Sequence, residues 1–140
     1  MIKNERQYKI TKAQIAKFDS ALEELNARSG AKSRLRKLEE DALRSQLGEL
    51  RDEVRQYEKL RSGGPKPIHI DSFDELPRAL VEARIVAGLS QKDLAERLHL
   101  KEQQIQRYEA TDYGSASLTR LKEIAQALGV DLAGEMTYSQ

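Results

Sequence analysis

The chain has no cysteine and no tryptophan, only three prolines and two histidines, and aromatic residues make up 5% of its 140 positions. Without cysteine there is neither a disulfide framework nor a thiolate zinc site. His69 and His99 stand thirty positions apart with no ligand spacing around them, so no metal is expected. No apolar run reaches the roughly 18 residues that a membrane span needs, and Met1-Ile2-Lys3-Asn4-Glu5-Arg6 lacks the apolar core of a signal peptide. The expected location is therefore the cytoplasm, with no membrane partner. No nucleophile beside a base, no glycine-rich phosphate loop and no carboxylate pair in an apolar setting is found, so neither an enzyme nor a cofactor is expected. A charged fraction of 34% with so few aromatics does not suit one large core. It suits short helices, each buried on one face, and the expected fold class is all-α.

What is present is organised around Leu89 to Ala110. Ser90 precedes Gln91-Lys92-Asp93-Leu94-Ala95-Glu96-Arg97-Leu98, a turn His99-Leu100-Lys101 follows, and then Glu102-Gln103-Gln104-Ile105-Gln106-Arg107-Tyr108-Glu109. Ser90 with Asp93 three residues on is an N-cap signature. Leu94 and Leu98 lie one turn apart and make an apolar stripe; Ile105 and Tyr108 make the inward stripe of a second helix. Ala95 is small enough to let the two helices cross closely, with Ile105 over it.

This spacing resembles the helix-turn-helix of the phage repressor and Cro class, the XRE-like regulators, over about Leu76 to Leu132. The resemblance rests on Ser90-Gln91, Leu94-Ala95, Leu98, Leu100, Ile105 and Glu109. Two positions depart from it. His99 stands where the family has a glycine at positive φ, and Lys101 where it has a Ser or Thr cap. The resemblance implies double-stranded DNA as partner, with the second helix of the motif in the major groove. The base-facing positions it implies are Glu102, Gln103, Gln106 and Arg107. Their chemistry suits bases: Gln pairs with adenine, Arg with guanine, and Glu accepts from the cytosine amino group. Gln91 matches a phosphate contact, to which Ser90, Lys92 and Lys101 add, as do Thr111, Tyr113, Ser115 and Ser117 from the following loop. Tyr108 is expected in the core.

The charge distribution complicates that picture. Residues 1–67 hold 16 Lys and Arg against 11 Asp and Glu, a balance of +5, while residues 68–140 hold 8 against 12, a balance of −4; together they give the net +1. Phosphate affinity comes from cations, so an acidic DNA reader must cluster its few cations on the DNA face, borrow the basic N-terminal half, or serve another partner.

Along the rest of the chain, Thr11 with Gln14 reads as a capping box and Ile10 with Ile15 as a hydrophobic staple. Ile15, Phe18, Leu22 and Leu25 make one seam of a helix ending near Ser29-Gly30. A second helix is expected from about Ser33 to Leu60, on the order of 40 Å long. It carries an early seam, Leu35, Leu38 and Ala42, and a later one, Leu43, Leu47, Leu50, Val54 and Tyr57. Gly48 inside it is either a local weakness or a close helix crossing. The first helix looks too short to cover the second, leaving Leu47 to Tyr57 for a second copy of the chain. The basic run Lys32-Ser33-Arg34-Leu35-Arg36-Lys37 invites nucleic acid, but Glu39-Glu40-Asp41 follow at once, and a solvated face is the preferred reading.

Ser62-Gly63-Gly64-Pro65-Lys66-Pro67 is a boundary. Ile68-His69-Ile70 is either linker or an edge strand of a dimer. Beyond it, Ser72 or Asp74 caps a helix whose inward residues are expected to be Leu76, Leu80, Ala83 and Val86/Ala87, with Pro77 in the first turn and Gly88 at the end. Ser117 caps a last helix carrying Leu118, Leu121, Ile124, Ala125 and Leu128, stopped by Gly129, and Val130-Asp131-Leu132 opens a short final turn.

The expected organisation is thus a helical hairpin for dimerisation (1–61), a Gly/Pro linker (62–71) and a four- or five-helix DNA-binding domain (72–136). The expected function is sequence-specific regulation of transcription by a homodimeric repressor reading an inverted repeat. The alternative is an antitoxin that binds a toxin partner and autoregulates its operon.

Overall fold

In the computed structural model, which describes residues 1–28 and 34–139, the first helix starts at Asn4 rather than Thr11. The Asn4 side chain accepts from the Gln7 amide at 2.8 Å, and Gln7 Oε1 accepts from the Lys3 amide at 2.8 Å. Asn4-x-x-Gln7 is the same signature as Thr11-x-x-Gln14, and asparagine is the better cap. Helix α1 therefore runs Glu5–Ala27 and absorbs Thr11, which is buried and donates its hydroxyl to the Gln7 carbonyl at 2.8 Å. The expected capping box at Thr11 is not formed, and Ile10, its expected staple, is 48% exposed. Ile15, Phe18, Leu22 and Leu25 do face inward, Leu25 most fully. The expected ends near Ser29-Gly30 and at Ser33, with Lys32 of the basic run, lie outside the described residues.

Helix α2 spans Arg34–Ser62. It runs antiparallel to α1. Tyr8 near the start of α1 packs its ring against Tyr57 at 5.2 Å, Asp19 pairs with Arg51 at 2.7 Å, and the Leu25 and Arg28 carbonyls accept from Arg36. Arg61 lies over both rings, 5.5 Å from that of Tyr8 and 5.4 Å from that of Tyr57. Tyr8 donates to Glu58, and this bond to a carboxylate holds the phenol pKa above its ordinary value.

The longer α1 reverses the expectation about which seam is left open. Leu47, Val54 and Tyr57, with Leu43 and Leu50 beside them, are covered within the hairpin. Leu35 and Leu38 are 67% and 59% exposed, and Ala42 is exposed with them. Gly48 marks no close crossing: a Cβ there would meet nothing within 4 Å. It is simply a weak point in a long helix, and Gly48→Ala is expected to stabilise the hairpin by about 1 kcal/mol, read as a higher urea midpoint at unchanged slope.

Met1–Ser62 forms one unit and Gly63–Gln140 a second. In the second unit, Ile68-His69-Ile70 is irregular and joins no strand. A single 3-10 turn, Phe73–Glu75, leads into α3 (Leu76–Val86), followed by α4 (Gln91–Arg97), α5 (Glu102–Ala110) and α6 (Leu118–Leu128). Neither Ser72 nor Asp74 makes a side-chain cap: Ser72 precedes the 3-10 turn without one, and Asp74 lies inside it. The inward face of α3 is rotated one position from expectation. Leu80, Val81, Arg84 and Ile85 are buried, whereas Ala87 is exposed. The reason is that Arg84, counted as polar, belongs to the core. Gly88 and Gly129 take left-handed conformations, φ 73° and 69°, at the ends of α3 and α6. The expected final turn at Val130-Asp131-Leu132 does not form, and Leu132 is 64% exposed. Among the described residues all regular structure is helical, and no helix is long and apolar enough to cross a membrane.

Candidate nucleic-acid interface

Ser90 begins α4 with a reciprocal cap: its hydroxyl accepts from the Asp93 amide at 3.0 Å, and the Asp93 carboxylate accepts from the Ser90 amide at 2.9 Å. Those two bonds lower the Asp93 pKa below the usual carboxylate value. Leu94 and Ala95 are fully buried, and Ile105, also fully buried, completes the crossing of α4 and α5. The turn between them needs a left-handed residue, and His99 supplies it at φ 57°. A side chain there is strained relative to glycine. The next residue bonds back to α4, the Leu100 amide donating to the Ala95 carbonyl at 2.8 Å. Lys101 is the N-cap of α5 and gives it no side-chain hydrogen bond.

The far end of α5 is held by a buried cluster that the sequence reading did not isolate. Glu109 is 1% exposed and Arg84 3%. Arg84 Nε donates to Glu109 Oε2 at 2.7 Å and Nη2 to Oε1 at 2.8 Å, a two-pronged pair; Nη1 donates to the Leu89 carbonyl at 2.8 Å. Gln91 Nε2 adds a third bond to the Glu109 carboxylate at 2.9 Å. One carboxylate on α5 thereby fixes its position against α3 and the first turn of α4. A signal existed: Arg84 lies on the same helical face as Val81 and Ile85, and Glu109 follows the inward residues Ile105 and Tyr108.

The residues expected to face bases are all exposed on α5: Glu102, Gln103, Gln106 and Arg107. Gln103, Gln106 and Arg107, three and four apart, share one face opposite the buried Ile105 and Tyr108. Of the residues expected on phosphates, Ser90, Lys92, Lys101, Thr111, Ser115 and Ser117 are exposed. Gln91 and Tyr113 are not. Gln91 is 5% exposed, and the bond to Glu109 occupies its amide nitrogen. Tyr113, at φ 57°, is buried and stacks on Tyr108 with 5.8 Å between ring centres. Its hydroxyl has no hydrogen-bond partner among the described residues, and burial, reinforced by nearby Glu109, pushes the phenol pKa far up. Thr111 donates its hydroxyl to the Arg107 carbonyl at 2.8 Å, and Ser117 caps α6 by accepting from the Arg120 amide at 3.0 Å.

The charge puzzle of this acidic unit has a geometric side. Arg84 is spent in the core pair, Arg78 pairs with Glu82 at 2.8 Å, and Arg97 donates to the Ala127 carbonyl at 2.9 Å. Lys92, Lys101 and Arg107 have no ion pair among the described residues. The uncommitted cations therefore include three of the residues singled out on and around α5, while Arg78 and Arg84 are neutralised by carboxylates.

Residues 80–134 match the family model described as helix-turn-helix. No curated protein and no solved structure matches the chain.

Proposed function

We propose that this chain, whose residues 80–134 form a helix-turn-helix domain of the XRE-like class of DNA-binding transcription regulators, reads an inverted repeat in the major groove as a homodimer and acts as a repressor. The observation that carries the reading is α5: an exposed polar edge of Gln103, Gln106 and Arg107, backed by Ile105 and Tyr108 and pinned at its far end by Arg84 and Glu109. Base reading needs side chains on a well-supported helix, and the bonds of Glu109 to Arg84 and Gln91 support this one. Glu102 accepts from a cytosine amino group in this arrangement, while Lys92, Lys101, Ser90, Thr111 and Ser115 meet phosphates. Gln91 and Tyr113 contribute chiefly by holding the frame. Repression needs only occupancy of a promoter.

Dimerisation is assigned to the N-terminal hairpin, through the exposed stripe Leu35, Leu38 and Ala42. The charges flanking that stripe are self-complementary. Arg34 and Lys37 precede Glu39 and Asp41, so two copies laid antiparallel about Leu38 bring base opposite acid. The double variant Leu35→Glu/Leu38→Glu is expected to sediment as a monomer at tens of micromolar and to lose preference for a two-half-site duplex over a single half-site. A wild-type chain that is itself monomeric would refute the dimer. If that monomer copurifies with a second protein on the same stripe, the antitoxin reading takes its place.

Selection from a random duplex pool tests the reading as a whole. The expected outcome is an inverted repeat with half-sites about 34 Å apart, one helical turn. No preference among duplexes at moderate salt would defeat it.

A further inference from the structure

A groove of about 490 Å³ opens between α5 and the first turn of α6. Lys101, Arg107 and Arg120 line it together with His99, over an apolar floor of Leu100 and Tyr108, and no carboxylate is part of its lining. In a unit with an excess of acids, this is an unusual gathering of cations. Lys101 and Arg107 have no ion pair among the described residues and Arg120 is only partly offset by Glu123, so the cavity keeps a net positive field. Arg120 is 29% exposed and uses only Nη1, on Glu123 at 2.8 Å. Its Nε and Nη2 donate to no described residue, and this free edge is the fork that matches a phosphate. The amides of Gln103 and Gln104, also in the lining, supply further donors.

We propose that this groove seats a phosphate group and that Arg120, which lies outside the two helices of the motif, holds it together with Lys101 and Arg107. The inference takes the source of the phosphate from the DNA reading above. Because Gln103 and Arg107 border the groove, a duplex laid along α5 brings its backbone to the groove mouth. A phosphate caught there anchors the backbone beside α5 and adds affinity without reading a base.

The test uses the full chain, the duplex that the wild type selects, and sodium phosphate. Arg120→Ala is expected to reduce the slope of log affinity against log salt by about 0.9, the contribution of one phosphate contact, with the ranking of duplexes unchanged. Arg120→Lys should keep most of the slope. Lys122→Ala, which removes an equal charge on α6 outside the groove, should leave the slope as it is. In a second arm, sodium phosphate is titrated at an ionic strength held constant with sodium chloride, and the Arg120 side-chain N–H resonance is followed. A changed slope without a saturable shift identifies the duplex backbone as the source. A saturable shift without a changed slope identifies free phosphate, and that result stands even if the wild type shows no preference among duplexes. Equal slope losses for Arg120→Ala and Lys122→Ala without a saturable shift would overturn the proposal, as would an unchanged slope together with no shift.

Discussion

Glu109→Ala is expected to destabilise the second unit by about 3–5 kcal/mol, the cost of breaking a buried ion pair from one side. The substitution removes both carboxylate acceptors of the Arg84 fork from around a guanidinium that is 3% exposed. It also removes the carboxylate that accepts from the Gln91 amide nitrogen at a buried position. Domains are stable by only about 5–15 kcal/mol, so such a loss takes much of the margin. Chemical denaturation of the full chain would show it as an early transition for this unit, with the hairpin transition unmoved. Arg84→Met combined with Glu109→Leu should recover most of the loss, because a packed apolar pair replaces a desolvated ionic one at little net cost. That double variant separates two roles. If it folds like the wild type yet discriminates less among duplexes, the ion pair sets the position of α5 as well as the stability of the fold. If Glu109→Ala leaves the midpoint in place, the buried pair is not what holds α5.

How much of this was legible beforehand depended on which physical signal each part rests on. The helix-turn-helix was legible because its signals are local and agree: the Ser90–Asp93 cap, the Leu94-Ala95 pair, the left-handed need at His99 and the Ile105/Tyr108 stripe all concern neighbours a few residues apart. Helix α1 starts at Asn4 rather than Thr11 because two capping signatures compete seven residues apart and asparagine is the stronger cap of the two. The earlier start has a long consequence. A shorter α1 leaves Leu47 to Tyr57 uncovered, whereas the observed one covers them and exposes Leu35 and Leu38 instead. The rotation of α3 has a different origin. Hydrophobic periodicity counts arginine as an outward residue, but Arg84 finds its carboxylate twenty-five positions away, and no local window contains that partner. Tyr113 shows the same limit: a loop tyrosine reads as polar surface until its ring is seen stacked on Tyr108. The polar edge of α5 was visible as a pattern, but the groove beside it was not, because Arg120 comes from another helix.

Arg107→Ala is expected to weaken binding to the preferred duplex by about 1–3 kcal/mol, roughly five- to two-hundred-fold, and to relax preference at one base pair of each half-site. Arg107 is exposed on α5, has no ion pair among the described residues, and lies one turn beyond Gln103 on the same face. A guanidinium free of local carboxylates presents two donors to the O6 and N7 of a guanine, and alanine presents none. Because Arg107 also borders the groove, its loss should lower the salt slope as well as the base preference. The two effects can be told apart by measuring affinities for the preferred duplex and for every single substitution at each position, at two salt concentrations. Base reading predicts that the wild-type ranking collapses at one position and survives at the others. Gln103→Ala should do the same at a neighbouring position, where adenine is the expected partner, with little change in salt slope, since an amide releases no counterions. A uniform loss across all duplexes for both variants would mean that α5 contacts only the backbone, and selectivity would then have to come from the shape of the duplex.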